Sequence, residues 1–417
     1  MKLKKYLHVT PTFYSIGNAA EEILWAYKRA EIEGLKVNII APYSWTEFLN
    51  YRICNRELFR LVCDSGGGED AVSVLYLIIV RFIVNMGFIV KRGLSLVGRK
   101  YIGFLFPEKW HFPQVGMNKY WPVYDDISGN ISSIINDPII AQMHKPFSVG
   151  LRKKTKNICA DRLSAFGIPR DAKYICLHVR DAGFHADNSR RSYRNADIAS
   201  YRKGIEYLLN RGLYVFRMGD AKMKKINFTH DKLIDYPFTS IKSEEMDLFL
   251  ISNCEFYIGM QSGVYSVALL FDKPVLLLNM VDWFYPYPLK IFDRGLLKKI
   301  KIKGSGLFLT MQDRFSLPFF YTDVRSKFSD EIEFFDNNPE EILMAIMGFY
   351  DDYITGKLSN KMIESNKNYS MYMEFVSSVL LNSPPEKMST YFTNSTQALS
   401  RFSLYVLASR GSVYDFN

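Results

Sequence analysis

The sequence predicts an α/β protein of two doubly wound, Rossmann-like domains with a helical C-terminal region. Three observations carry this. The chain has 417 residues, more than one hydrophobic core usually serves, so two domains of roughly 150 to 200 residues are expected. An apolar run at 6–10, a helical period at 17–33 and a second apolar run at 37–41, closed by Pro42, make one βαβ unit near the start. From Tyr174 the alternation returns more clearly, with strand-like runs at 174–179, 214–218, 256–259 and 275–279 and amphipathic stretches at 198–209, 244–252 and 264–270 between them.

The loop 11–17 leaves the first strand at its carboxyl end, where open α/β sheets place ligands. Turn residues around Gly66-Gly67-Gly68 and the Pro and aromatic stretch 107–122 read as loops. A helix over 153–166 stops at Gly167-Ile168-Pro169, which introduces the second domain. After Asn279 the pattern loosens through 283–288 and recovers a helix at 339–350, introduced by Asp336-Asn337-Asn338. The expected division is an N-terminal domain at 1–150, a second domain at 151–350 and a mainly helical extension at 351–417.

Hydrophobic residues at 48% and charged residues at 23% give an ordinary globular balance, so the chain can build packed interiors. Aromatic residues reach 15%; flat rings suit sugar faces, although core packing explains the excess more simply. A formal charge of +10 draws the protein toward polyanions. No Lys/Arg tract interleaved with aromatics and no zinc-finger or RRM pattern accompanies it, which sets nucleic acid aside as a partner. Cys54, Cys63, Cys159, Cys176 and Cys254 are odd in number and form no C-x-x-C pair, so they read as reduced thiols of a cytoplasmic protein. The basic start at residues 1–5 leads into no long apolar core of the kind a signal peptide needs.

Residues 71–90 are apolar enough to suggest a membrane span, yet Arg81 and Asn85 lie near the middle, where charge is costly in lipid. Lys91, Arg92, Arg99 and Lys100 come next. Two readings fit: a helix lying in the headgroup region of an anionic membrane surface, peripheral on the inner face of the cytoplasmic membrane, or an ordinary buried helix.

Four groups of residues could carry chemistry. The run Cys176-Leu177-His178-Val179-Arg180-Asp181 is apolar until it emits His178, Arg180 and Asp181 at a strand end. There an arginine can clamp a phosphate with its planar fork and a histidine can bond a phosphate or ribose oxygen, or the Arg–Asp pair can simply cap the strand. The loop 183–197 holds His185, Asp187, Asn188, Arg190, Arg191, Arg194 and Asn195; Asn195 or Asp197 can cap the helix beginning near Ile198, which leaves the arginines unexplained. Arg217-Met218-Gly219-Asp220 ends a strand in a glycine that admits close approach, followed by an acid that can bond a ribose hydroxyl or cap a turn. Gly259-Met260-Gln261-Ser262-Gly263 joins a strand to a helix, so backbone N–H groups, a hydroxyl and the helix dipole converge on an anion site, or on a tight turn with no ligand. It is neither a dinucleotide fingerprint nor a Walker loop.

Taken as a set, these motifs together with Arg194–Ile198, Glu245–Leu250 and Lys273–Leu276 resemble a bacterial family of surface-polysaccharide glycosyltransferases with an H-x-R-D motif. More distantly, the H-x-R element and the later Ser-Gly turn are similar to the fucosyltransferase superfamily. The resemblance implies the GT-B fold, two Rossmann-like domains facing a cleft, with an N-terminal acceptor domain and a C-terminal donor domain. It implies a nucleotide-sugar donor as substrate, no cofactor and no metal. By the same likeness Arg180 grips the donor diphosphate with His178 beside it. Asp181 stands where the fucosyltransferases carry a second arginine, which separates the chain from a GDP-fucose donor.

The expected function is transfer of a sugar from a nucleotide-sugar donor to a surface-polysaccharide, lipid-linked or other glycan acceptor. The donor-binding candidates are His178, Arg180, Arg194, Asn195, Arg217, Gly219, Asp220, Gln261, Ser262 and Gly263. For the base that activates the acceptor hydroxyl, Asp181, His185 and Asp187 stand past a strand end, with Glu21 and Glu22 as candidates from the other domain. Activity without metal is expected, because no D-x-D motif, paired carboxylates or Cys/His cluster is present. A GT-B-like nucleotide-sugar epimerase and a non-catalytic, membrane-associated subunit of a polysaccharide assembly machine are the competing readings.

Overall fold

In the computed structural model, residues 6–11, 13–43, 53–63, 74–86, 149–183, 193–281, 292–310 and 332–365 are described. The N-terminal unit is the expected βαβ. Strands β1 (Tyr6–Val9) and β2 (Lys36–Ile39) pair in parallel, Tyr6 opposite Lys36 through Val9 opposite Ile39. Helix α1 (Ile16–Glu33) crosses between them. Its Ala19, Ala20, Ile23, Leu24 and Ala30 recur at helical spacing and are buried. Gly34, at φ 64°, ends it in the left-handed conformation that L side chains avoid.

Residues 53–63 stitch the N-terminal unit to the second one. Strand β3 (Val62–Cys63) pairs antiparallel with β4 (Val149–Gly150). Glu57, buried, accepts from Thr155 Oγ1 at 2.8 Å and from Arg152 Nη2 at 3.0 Å. Those two residues flank and open helix α2 (Lys153–Ala165), so the segment near the expected boundary at 150 is fastened to the N-terminal half.

The second unit is a six-stranded sheet built from β5 (Tyr174–Leu177), β6 (Tyr214–Arg217), β7 (Leu233–Ile234), β8 (Tyr257–Gly259), β9 (Val275–Met280) and β10 (Arg294–Leu297). The spatial order is β10-β9-β8-β5-β6-β7, with every pairing parallel. Helices α3 (Arg202–Asn210), α4 (Glu244–Asn253), α5 (Gly263–Leu270) and α6 (Pro339–Thr355) cover it. Alternate residues of one strand enter different cores. Cys176, Val275 and Leu277 join Cys159 and Leu163 of α2, residues of α4 and α5, and Ala20 and Ile23 of α1. Leu177, Leu276 and Leu278 join Ile205 and Leu208 of α3 and Ile342, Ile346 and Phe349 of α6. Burial on both faces is why these strands read as continuous apolar runs rather than alternating ones.

The doubly wound domain is therefore present as expected, with helix and strand ends shifted by a few residues. The stretch predicted as one helix over 198–209 is a 3-10 turn, Ile198–Tyr201, followed by α3. Asp197 caps it by accepting from the Ala199 N–H at 3.1 Å. Asn338 and Glu341 form a capping box at the start of α6. Sequence pattern does not disclose β7, β10 or the antiparallel pair β11 (Lys299–Ile302) and β12 (Ile332–Phe335). Cys54, Cys159, Cys176 and Cys254 are free thiols. The predicted loops 64–69, 107–122 and 283–288 and the extension beyond residue 365 lie outside the described residues.

Candidate functional site

From β5 the chain runs outward through β6 to β7, returns to β8 beside β5, and continues outward the other way through β9 to β10. At such a reversal the connections leaving the two central strands diverge, and a crevice opens outside their carboxyl ends. Residues 178–181 follow β5 and residues 260–263 follow β8, so two of the four motifs meet at this point.

His178 continues the ladder, its backbone N–H donating to the Ile258 carbonyl at 2.9 Å. Its Nδ1 lies 3.0 Å from Ser262 Oγ, and both residues are buried. Ser262 is the extended N-cap of α5, but its side chain makes no capping bond. The hydroxyl turns to the imidazole instead, and the first turn of α5 carries no acid. Burial, aided by the charges of Arg217 and Arg180 and opposed by Asp181, pulls the His178 pKa down to about 4. The ring is therefore neutral near pH 7 and acts as a hydrogen-bonding group rather than a cation. Upstream, Gly259 is required by Tyr257: a Cβ at 259 would fall 2.6 Å from Tyr257 Cε1.

The stretch before α3 closes over the same point. The Ala196 N–H donates to the Arg180 carbonyl at 3.0 Å. Arg194 Nη2 donates to the Gln261 carbonyl, while Arg194 Nε is buried without a hydrogen-bond partner among the described residues. Gln261 Oε1 accepts from the Val281 N–H at 2.8 Å, just past β9. Lys298 Nζ donates to the Asn195 carbonyl at 2.6 Å and pairs with Asp336 at 2.6 Å. His178, Arg180, Arg194, Asn195, Gln261, Ser262 and Gly263 thus form one cluster at the ends of β5, β8 and β9.

The N-terminal unit reaches this cluster. Helix α1 packs across α5 with Gly17 against Gly263, so closely that a methyl group on Gly17 would lie 2.4 Å from Gly263 Cα. One turn on, Glu21 accepts from Ser266 Oγ at 2.7 Å and from Tyr265 at 3.4 Å. Two helix N-termini therefore converge beside Ser262, neither with an acidic residue in its first turn. Thr10, following β1, is buried with an Oγ1 that has no hydrogen-bond partner among the described residues. Glu21 and Glu22 are both buried, and Glu21 is turned into the helix interface.

Arg217, Gly219, Asp220 and Asp181 form a second group, on the β6 side. Arg217 is fully buried, with Nε 2.8 Å from Asp235 Oδ1 and Nη2 bonded to the Lys224 carbonyl. Gly219, at φ 148°, sits against the Met223 sulfur. Asp220 Oδ1 accepts from the Lys222 N–H at 2.9 Å. Asp181 accepts twice, from the Gly183 N–H at 3.0 Å and the Lys224 N–H at 2.8 Å. These contacts build and fasten the loops after β5 and β6. His185 and Asp187 lie outside the described residues.

Sequence reasoning missed Lys298 and the pair Asn279 and Asn337. Asn279, at φ 51°, and Asn337 exchange backbone N–H to side-chain bonds of 2.7 and 2.6 Å, tying β9 to the start of α6. An asparagine at a strand end was the available signal, since it tolerates the left-handed region. Lys298 gave none, because a lysine beside a strand ordinarily faces water.

No protein-family model matches the sequence, and no curated protein matches it. Solved structures similar to the chain include a glycosyl transferase family 9 protein from Veillonella parvula DSM 2008, at 12% identity over 67% of this chain and 82% of that one, TM-score 0.35. Another is E. coli ADP-heptose LPS heptosyltransferase II, at 14% identity over 84% of this chain and 99% of that one, TM-score 0.40. A third is E. coli heptosyltransferase WaaC with ADP-2-deoxy-2-fluoro heptose, at 11% identity over 67% and 90%, TM-score 0.32. Likeness of this degree carries no inference about chemistry, which rests on the site.

Proposed function

We propose that the protein is a glycosyltransferase of the GT-B type that seats the diphosphate of a nucleotide-sugar donor at the ends of β5 and β8. One observation carries the reading: Ser262 Oγ and His178 Nδ1 meet 3.0 Å apart across the reversal of a parallel sheet, beneath the N-terminus of α5. Arg180 and Arg194 stand in the same cluster, so hydroxyl, neutral imidazole, guanidinium groups and helix dipole all favour an anion there. Leaving-group charge is then borne by arginine and helix terminus, and transfer runs without a divalent cation or other cofactor.

In this reading residues 1–150 supply the acceptor side, 151–350 the donor side and 351–417 a helical extension. The acceptor is a surface-polysaccharide, lipid-linked or other glycan. Asp181 has both carboxylate oxygens on backbone N–H groups of the loops after β5 and β6, which engages it in holding those loops. Activation of the acceptor hydroxyl falls to His185 or Asp187, a few residues further along the chain. The enzyme works on the inner face of the cytoplasmic membrane.

Calorimetric titration with GDP-, UDP-, dTDP-, CMP- and ADP-linked sugars tests the reading. At least one should bind, and Arg180→Ala should weaken it by about 1.5 to 3 kcal/mol without lowering the melting temperature. Unchanged affinity in that variant would remove the central claim. Isomerisation of the donor sugar without acceptor would replace transfer by epimerisation, and complete loss of activity in EDTA restored by Mg²⁺ would remove metal independence.

A further inference from the structure

The two residues that flank Arg194 are held by the same small sheet. The Tyr193 ring stacks on Phe334 of β12, with centroids 5.4 Å apart. The Asn195 carbonyl accepts from Lys298 Nζ at 2.6 Å. Lys298 joins β10 to β11 and is buried; its backbone N–H donates to the Met280 carbonyl at 2.7 Å, and its Nζ pairs with Asp336, next after β12, at 2.6 Å. Between these two fastenings Arg194 sends Nη2 to the Gln261 carbonyl and keeps Nε buried, without a hydrogen-bond partner among the described residues. No carboxylate among the described residues pairs with Arg194.

We propose, on the reading of the β5–β8 cluster as the donor seat, that the β11–β12 pair positions Arg194 there. Lys298 and Tyr193 are the positioning residues, and an oxygen of the donor diphosphate is the acceptor that the buried Nε lacks. An arginine on a free loop keeps its guanidinium in water. Fixing the backbone on each side of Arg194 holds the fork in a part-buried place where one donor is spent on Gln261 and another stays open. That arrangement costs free energy until an anion completes it. Because Arg194 donates to a carbonyl rather than a carboxylate, its charge is left for a phosphate. Lys298 differs in this respect: Asp336 neutralises it, so it serves to hold the Asn195 backbone rather than to bind phosphate itself.

The test is calorimetric titration of the full-length protein with inorganic pyrophosphate, the bare diphosphate. Arg180→Ala and Arg194→Met should each weaken binding about tenfold or more. Tyr193→Ala should weaken it roughly fivefold, as should Lys298→Met combined with Asp336→Asn, which leaves the local net charge unchanged. Tyr193→Phe keeps the ring on Phe334 and should bind as wild type. In the Arg194→Met background neither change should weaken binding further, because both act through that guanidinium, whereas a general loosening of the fold would add its loss in either background. Titrations are made below each melting transition, and the Tyr193 series carries the test where the Lys298 variant does not fold. The proposal is overturned if Tyr193→Ala or Arg194→Met binds as wild type, or if the losses add. If Arg180→Ala still weakens binding in those cases, the donor seat stands without the clamp. Absence of pyrophosphate binding by wild type also overturns the proposal, and the donor reading with it only where the nucleotide-sugars fail to bind as well.

Discussion

Ser262 Oγ stands 3.0 Å from His178 Nδ1, so the N-cap of α5 is spent on the residue that follows β5 rather than on its own helix. Burial, with the charges of Arg217 and Arg180, keeps the imidazole neutral, and that has a consequence for stability. The folded pKa of His178, about 4, lies below its ordinary 6.5, so between these values the unfolded chain holds more proton than the folded one. Stability therefore rises with pH through that window and is lost as pH falls through it, by an amount on the order of 3 kcal/mol. His178→Gln should flatten this part of the stability curve from pH 6.5 to 4, measured by urea unfolding at stepped pH. An unchanged acid slope in the variant would show that other groups set it.

The contact of Gly17 with Gly263 holds the N-terminal unit against the cluster at the ends of β5 and β8 without room for a methyl group. Gly17→Ala should push α1 off α5, strain the Glu21 to Ser266 bond, and cost about 1 to 3 kcal/mol. Calorimetry should show the fall in melting temperature, and donor affinity should fall with it because the two helix termini separate. A Gly17→Ala protein as stable as wild type would mean that the helices slide at no cost.

Asp181 offers a direct contrast between fastening a loop and taking a proton. Its two oxygens accept from Gly183 and Lys224, on the loops after β5 and β6. Asp181→Asn keeps one acceptor and should destabilise by about 1 to 2 kcal/mol while lowering turnover only modestly. A thermal melt and steady-state kinetics on the same preparation decide. A thousandfold loss of turnover at an unaltered melting temperature would make Asp181 the base.

The sheet was legible because both its faces are buried, which turns β5, β6, β8 and β9 into unbroken apolar runs such as Val275 to Leu278. Strand β10 was not, because it begins with a charged residue. Arg294 is buried on Asp352 of α6 at 3.4 Å, and a sequence window cannot see that partner. In the site, motif order brought out His178, Arg180 and Ser262, all at the ends of central strands. The same reasoning made Arg217 a donor-binding candidate, and its partner in the fold, Asp235, is one that a strand-end arginine does not disclose in sequence. Which side of the sheet reversal a strand end falls on is a property of topology, and strand order is not written in local pattern. For residues 71–90 the sequence left the interfacial and buried readings level; among the described residues of that stretch Asn85 is buried against Tyr43, while Leu75, Ile78 and Phe82 are exposed.

Arg217 yields the sharpest test of that division. Its guanidinium is 1% exposed, paired with Asp235 at 2.8 Å and bonded to the Lys224 carbonyl, so the loops after β6 are built around it. Asp235 also accepts from the Ile226 N–H at 3.0 Å and would be left with an uncompensated charge if the arginine were removed. Arg217→Met should therefore cost about 3 kcal/mol or more in unfolding free energy, and adding Asp235→Asn should recover part of it. The substitution also removes one of the cations that depress the His178 pKa, so the acid window of the remaining folded protein should narrow from its lower end. Donor affinity, measured by calorimetry below the melting transition, should change little beside that of Arg180→Ala. If Arg217→Met melts like wild type yet loses donor binding, the guanidinium reaches the donor and the separation of the two groups is wrong.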